Sequence, residues 1–190
     1  MARLRIEVLR PLLKDPSFEV RTAVAAAIER LEGANDLNGI LQTLKTGSMG
    51  ERIAAIFALG EIGGEKVVAP LVYCAGRNEP DIRAAAIEVL GRLAVPSTLP
   101  VVVERLDDPN NAIRSRAICA LANFQATPEL FKRLRPFLAA DDGALDADAA
   151  LTLARLGDTE SSGRITLLLA SSHPFTRSAA ATALSLLPLE

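Results

Sequence analysis

The chain has 190 residues of which 49% are apolar, yet only 4% are aromatic and none is tryptophan. A core must therefore be built from Ala, Leu, Ile and Val, side chains that suit closely packed helices. With 21 basic against 23 acidic residues the charge is nearly balanced, which argues against a chain devoted to nucleic acid or to an anionic membrane surface.

The amino terminus, MARLRIEVLRPLLKD, reads as a helix near residues 3 to 14. Its apolar positions are interrupted by Arg3, Arg5, Glu7 and Arg10, so it lacks the continuous apolar stretch of a signal peptide. Pro11 inside it removes a backbone hydrogen bond and predicts a kink. From there the sequence repeats. The segments VRTAVAAAIERL, ERIAAIFALGEI, IRAAAIEVLGRL, IRSRAICALANF, LDADAALTLARL and TRSAAATALSLL begin at Val20, Glu51, Ile82, Ile113, Leu145 and Thr176, at spacings of 31, 31, 31, 32 and 31. A fixed period in this range is the signature of a repeat array and decides the fold before any local reading does. Apolar residues recur at helical spacing inside each segment, as in Val20, Val24, Ala27, Ile28 and Leu31. Alanines such as Ala54, Ala55, Ala58, Ala85 and Ala86 would let neighbouring helix axes approach closely.

Each of these first helices is expected to end in a Gly-rich or polar turn: Gly33 to Asn38, Gly63 and Gly64, Pro96 to Thr98, Gly157 to Gly163. A second apolar-periodic stretch follows each turn and places Leu44, Ala75, Leu106, Leu138 and Leu169 at one register, with Leu13 before them. The array thus opens on a lone second helix, continues through five hairpins and closes on a lone first helix near residues 175 to 188, giving roughly twelve helices in one domain spanning 1–190. The opening helix offers Leu4, Ile6, Val8, Leu9, Leu12 and Leu13, and the closing one is nearly all apolar or small from Ala179 to Leu189. A terminal repeat normally needs a polar outer face. The expectation is that these ends stack on a second copy, on a neighbouring domain, or on further repeats.

Five of the six first helices carry an arginine at their second position: Arg21, Arg52, Arg83, Arg114 and Arg177. Asp15-Pro16 and Asp108-Pro109 each lie six residues before such an arginine. The column reads as a structural ladder in which the guanidinium fork bonds the aspartates and carbonyls of the turns. This layout, with Val/Ile-Arg, Ala and Ala-Leu-Gly following, resembles the HEAT repeat in its short bacterial form, the type found in phycobilisome lyase-like proteins. The resemblance implies an all-α fold, an α-solenoid of about six stacked helical hairpins winding as a right-handed superhelix. It also implies an interaction scaffold whose concave face is lined by second helices.

No phosphate loop, nucleophile elbow or His-Glu-x-x-His helix is present. One histidine, His173, is too few for the metal ligands of HEAT-repeat hydroxylases, and its place in Ser171-Ser172-His173-Pro174 reads as a turn. Cys74 and Cys119 fall at apolar helix positions without paired-ligand spacing, so both are expected to be small buried hydrophobes in a reducing cytoplasm. Neither cofactor nor metal is expected, nor catalysis. Asp141, Asp142, Asp146 and Asp148 are expected to form a solvated acidic cap in the fifth unit, where Asp146 replaces the ladder arginine.

Two second helices share Leu-Arg-Pro, at Leu9-Arg10-Pro11 and Leu134-Arg135-Pro136, and both are basic. A protein partner carrying an acidic segment is expected to dock on the second-helix face, with Tyr73, Arg105, Lys132, Arg133 and Arg135 as candidate contacts. Two other readings are an accessory subunit of a bilin lyase and a nucleic-acid module like the HEAT-like glycosylases. Scarce aromatics disfavour the latter.

Overall fold

A computed structural model describes residues 2–35 and 37–188. Among these the chain is helical, with no strand. Its twelve α-helices are α1 (Ala2–Leu9), α2 (Phe18–Asn35), α3 (Leu37–Thr46), α4 (Met49–Ile62), α5 (Val68–Ala75), α6 (Pro80–Leu93), α7 (Leu99–Glu104), α8 (Asn111–Leu121), α9 (Pro128–Leu134), α10 (Leu145–Arg155), α11 (Ser162–Leu167) and α12 (Pro174–Leu186). The even-numbered helices carry the arginine column. The odd-numbered ones are the second helices, and most are extended by short 3-10 turns.

Local chemistry accounts for the boundaries. Pro11 and Pro136 do not merely kink their helices; α1 and α9 stop just before them and the chain continues as 3-10 turns, Arg10–Lys14 and Arg135–Ala139. Gly63 and Gly64, with φ of 63° and 77°, end α4 in left-handed backbone that a side chain would resist. Ser48 and Glu51 close a reciprocal capping box at the start of α4. The turn expected from Gly33 to Asn38 is absent over most of its length: α2 runs through Gly33 to Asn35, and α3 begins at Leu37. Asp36 lies outside the described residues. A lone glycine costs a helix only about 1 kcal/mol relative to alanine, so α2 can continue through Gly33.

Each odd-numbered helix, with its 3-10 extension, packs mainly on the even-numbered helix that follows it, and each even-numbered helix packs on the next even-numbered one. The array is therefore better described as six complete pairs than as five hairpins between two lone helices. The even-numbered row is drawn together by small residues. A Cβ built on Gly91 would stand 2.8 Å from the Cα of Ala120 in α8, and one on Gly60 would stand 2.7 Å from a methyl of Val89 in α6. Consecutive odd-numbered helices touch little. The arginine-bearing helices thus form the closely packed row of the stack and the second helices the looser one.

One apolar core runs from Ile56 in α4 to Ala183 in α12 and includes Leu59, Ile87, Leu90, Ile118, Leu121 and Leu153, all essentially inaccessible. Each such side chain contributes about 1.5–3 kcal/mol relative to exposure. The first pair holds a separate small cluster of Ile6, Val24 and Ile28. At the ends, Val8, Leu12 and Leu13 are exposed on the first pair. In α12 the small residues Ala179, Ala180 and Ala183 point inward, whereas Arg177, Ser178, Thr182 and Ser185 lie outside. Phe175 and Leu186 are exposed beside them, so the outer face of α12 mixes polar and apolar side chains. Leu189 lies outside the described residues.

Candidate functional site

The arginine column makes one recurring contact. The Arg21 guanidinium donates to the carbonyls of Asp15 and Pro16 at 2.7 and 3.0 Å. Arg83 donates to those of Arg77 and Asn78 at 2.9 and 2.8 Å, and Arg177 to those of Ser171 and Ser172 at 2.8 and 3.2 Å. Arg114 reaches the Asp108 carbonyl at 3.0 Å. Each of these arginines thus ties its helix to the turn that leads into it. Arg83 also bridges units: its Nε and second terminal nitrogen bond both oxygens of Asp108 at 3.0 and 3.1 Å, with both residues buried. Arg52 departs from the pattern and pairs with Glu79 of the next unit at 3.1 Å. Asp15 uses its side chain locally, accepting from the Ser17 amide.

The fifth unit departs further. In the arginine-bearing turns the residue six before the arginine is extended, with ψ of 143° at Asp15, 139° at Asp108 and 145° at Ser171. At the equivalent Ala140 ψ is −32°, and the next residue, Asp141, has φ of 51°. With no guanidinium to bind, the peptide between Ala140 and Asp141 is turned over. The four aspartates do not form one solvated cap. Asp142 accepts from the amides of Ala144 and Leu145 and from the Asn111 side chain; Asp148 accepts from Ser115. Asp146 is 1% exposed, accepting from Thr176 and the Ala147 amide. Burial was not legible because its partner, Thr176, comes from the following unit.

The five residues expected to contact a partner lie on three successive second helices: Tyr73 on α5, Arg105 just after α7, and Lys132, Arg133 and Arg135 on α9 and its extension. Tyr73 on α5 is 66% exposed, and its ring lies under the Arg77 guanidinium, which also donates to the phenol oxygen at 2.9 Å. It borders a groove between α3 and α5 lined by Leu41, Leu44, Lys45, Pro70 and Arg52. Arg52 and Arg77 share the Glu79 carboxylate, and the hydrogen bond to its own backbone amide together with these two cations pulls its pKa down to about 2. Arg105, Arg133 and Arg135 are engaged in ion pairs rather than offered as open charge. Arg105 pairs with Glu104, and Arg133 reaches Asp107 of the preceding unit at 2.6 Å. Arg135 stacks over Phe131 and binds Asp158 and Glu160 of the following unit. Burial would raise the Asp158 carboxyl, but hydrogen bonds from Arg135 and Ser161 outweigh it and hold it below the usual range. Lys132 is exposed and has no ion pair among the described residues.

Elsewhere, Cys74 is buried, whereas Cys119 stands at an exposed position on α8, contrary to expectation, because the tight α6 to α8 contact is made by Ala120 beside it. Crowding by neighbouring atoms and the Asp148 carboxylate push the Cys119 thiol up to about 11, which keeps it protonated and poorly nucleophilic. His173 precedes α12, and its ring lies so close to Gly143 that a Cβ there would meet the ring carbon at 2.8 Å. No group of three or more metal-ligating side chains occurs among the described residues. No helix among them is long and apolar enough to cross a membrane.

A family profile for HEAT repeats matches residues 37–122, which span α3 to α8. No curated protein matches in sequence. Among solved structures, one similar in fold is the complex of CpcE and CpcF of phycocyanin lyase from Nostoc sp. PCC7120, with a TM-score of 0.65 and 18% identity over 79% of this chain and 98% of that one. Two engineered proteins are also similar: one at TM-score 0.56 and 18% identity covers 96% of each chain, and the other, at 0.54 and 19%, covers 95% of this chain and 57% of that one. Helix pairs in the same register precede and follow the matched stretch, and the fold of the chain is an all-α solenoid of HEAT-like repeats.

Proposed function

We propose that this chain is a non-catalytic protein-interaction scaffold, with residues 1–190 acting as one module, and that a partner docks on its second-helix face at the groove between α3 and α5. HEAT repeats suggest such a role, and the observation that carries this choice of surface is the exposed Tyr73 and Arg77 stack beside an apolar floor. Large aromatic and arginine side chains that present area at low entropic cost are the usual anchors of an interface. Lys45, Arg52 and Arg77 outnumber Glu79 around the groove, which favours an acidic, aliphatic segment of the partner. Arg133 and Arg135 support the scaffold by joining adjacent units, and Lys132 adds an open charge at the neighbouring surface.

Affinity capture from the native cytoplasm, wild type beside a Tyr73→Ala, Lys45→Glu variant, tests this reading. Both residues lie outside the apolar core, so the variant keeps its helicity and its captured set loses one or more proteins. An unchanged set removes the groove from the account. A second reading, an accessory subunit of a chromophore lyase, is favoured by the similarity to the CpcE and CpcF complex. Coexpression with a phycobiliprotein and a bilin, scored by visible absorbance of the denatured product, separates it from the first.

A further inference from the structure

We infer that the cleft between the second helices of the fifth and sixth pairs is a receptor for the guanidinium of an arginine carried by a partner polypeptide. The cleft, about 510 Å³ in volume, is bounded by Pro136, Leu138, Leu167 and Leu168, and Asp146 is part of its lining. One carboxylate oxygen of Asp146 is satisfied inside the stack, by the Thr176 hydroxyl at 3.0 Å and the Ala147 amide at 2.8 Å. The other, Oδ2, is fully buried and meets no donor. A buried carboxylate oxygen without a donor is destabilising, and native folds rarely leave one in place unless something else supplies the missing group.

The register says what that group is. Asp146 stands where Arg21, Arg83, Arg114 and Arg177 stand in other units, and at those positions a guanidinium bonds the turn. In the fifth unit the fold has kept the helix and the turn length while exchanging the cation for an anion. The Asp141 side chain adds a second carboxylate to the lining, so a planar fork entering between the aliphatic walls finds acceptors at its end and apolar surface along its stem. Two arginines share this lining. The charge of Arg135 is answered by Asp158 and Glu160. Arg164 is exposed and without an ion pair among the described residues, and it is the one internal cation that could compete for the site. This inference does not depend on the Tyr73 groove, which lies three pairs away.

The test is a titration of isotopically labelled protein with N-acetyl-arginine methylamide, followed through backbone amide resonances, with the citrulline analogue as the neutral isostere. The arginine probe is expected to give saturable shifts at the amides of Asp141, Ala147 and Ser171, and the citrulline probe none. Asp146→Asn, which keeps the shape and the Thr176 contact, is expected to weaken binding at least tenfold. Asp146→Arg, which restores the ladder residue within the chain, should abolish it. Arg164→Gln, which removes the internal competitor, should leave binding equal or tighter. The absence of saturable shifts in both wild type and Arg164→Gln overturns the proposal, as does equal binding of citrulline or undiminished binding to Asp146→Asn. Should Asp146→Arg fail to fold, Asp146→Asn and the citrulline comparison still decide the matter.

Discussion

Replacing Gly91 by valine tests the close approach of α6 and α8 within the ladder row. A Cβ at this position would lie 2.8 Å from the Ala120 Cα and 3.3 Å from its carbonyl oxygen, and both belong to the backbone of α8, which cannot rotate aside. Carbon atoms in ordinary contact sit about 3.5–4.0 Å apart, so α6 and α8 must separate by about 1 Å, enough to forfeit a quarter to a half of the dispersion energy along that seam. Overpacking of this kind costs about 1–3 kcal/mol, and the added γ-methyls place valine at the upper end. Better helix propensity offsets only about 0.4 kcal/mol. A net loss of about 2–3 kcal/mol lowers the melting temperature by roughly 4–12 °C for a chain of this size. Circular dichroism melts would read it, with Gly163→Ala as the internal control. Gly163 lies in α11 with nothing within 4 Å of the added Cβ, and alanine there stabilises by about 0.4–1 kcal/mol. If Gly91→Val melted within a degree or two of wild type, the two helices would not be in the contact described.

Two further outcomes are expected. Arg83→Met removes the fork that joins the third turn to Asp108 and leaves that carboxylate buried without its cation, a loss of about 3–5 kcal/mol in urea unfolding; a loss under 1 kcal/mol would reduce the bridge to a surface ion pair. Acid should weaken the second and third pairs through Glu79, whose folded pKa of about 2 lies below its ordinary 4.5. A depressed carboxyl binds fewer protons in the folded state, so its contribution is complete above about pH 4.5 and fades as the pH falls through 2. The urea midpoint of wild type should therefore drop more steeply across that window than that of Glu79→Gln; parallel slopes would contradict the assignment.

Much of this architecture is legible in the chain because a repeat announces itself six times. The period, the bonds from Arg21, Arg83, Arg114 and Arg177 to the turns before them, and the Gly63-Gly64 stop each rest on residues that act within one unit. What the sequence concealed depends on neighbours a full unit away. Gly60, in Ala-Leu-Gly, and Gly91, in Val-Leu-Gly, read as ordinary helix positions, yet they let the ladder helices come together. Arg133 and Arg135 read as an open basic patch, but their partners Asp107 and Asp158 belong to flanking units about 25 residues away. Asp146 read as a solvated cap because a carboxylate at a helix start usually is one. Only the next helix, bringing Thr176, buries it. Counting apolar residues likewise hid the mixed outer face of α12, where Ser178, Thr182 and Ser185 stand outward beside the exposed Phe175 and Leu186.

The scaffold reading is tested most directly by a photo-cross-linking amino acid placed at position 73 of the protein in its native cells, beside the same group at Thr182 on the exposed outer side of α12. A discrete cross-linked species from position 73, lost when Lys45→Glu is added and missing from position 182, is the predicted result. Equal cross-linking from both positions, or none from position 73, would contradict a docking groove between α3 and α5.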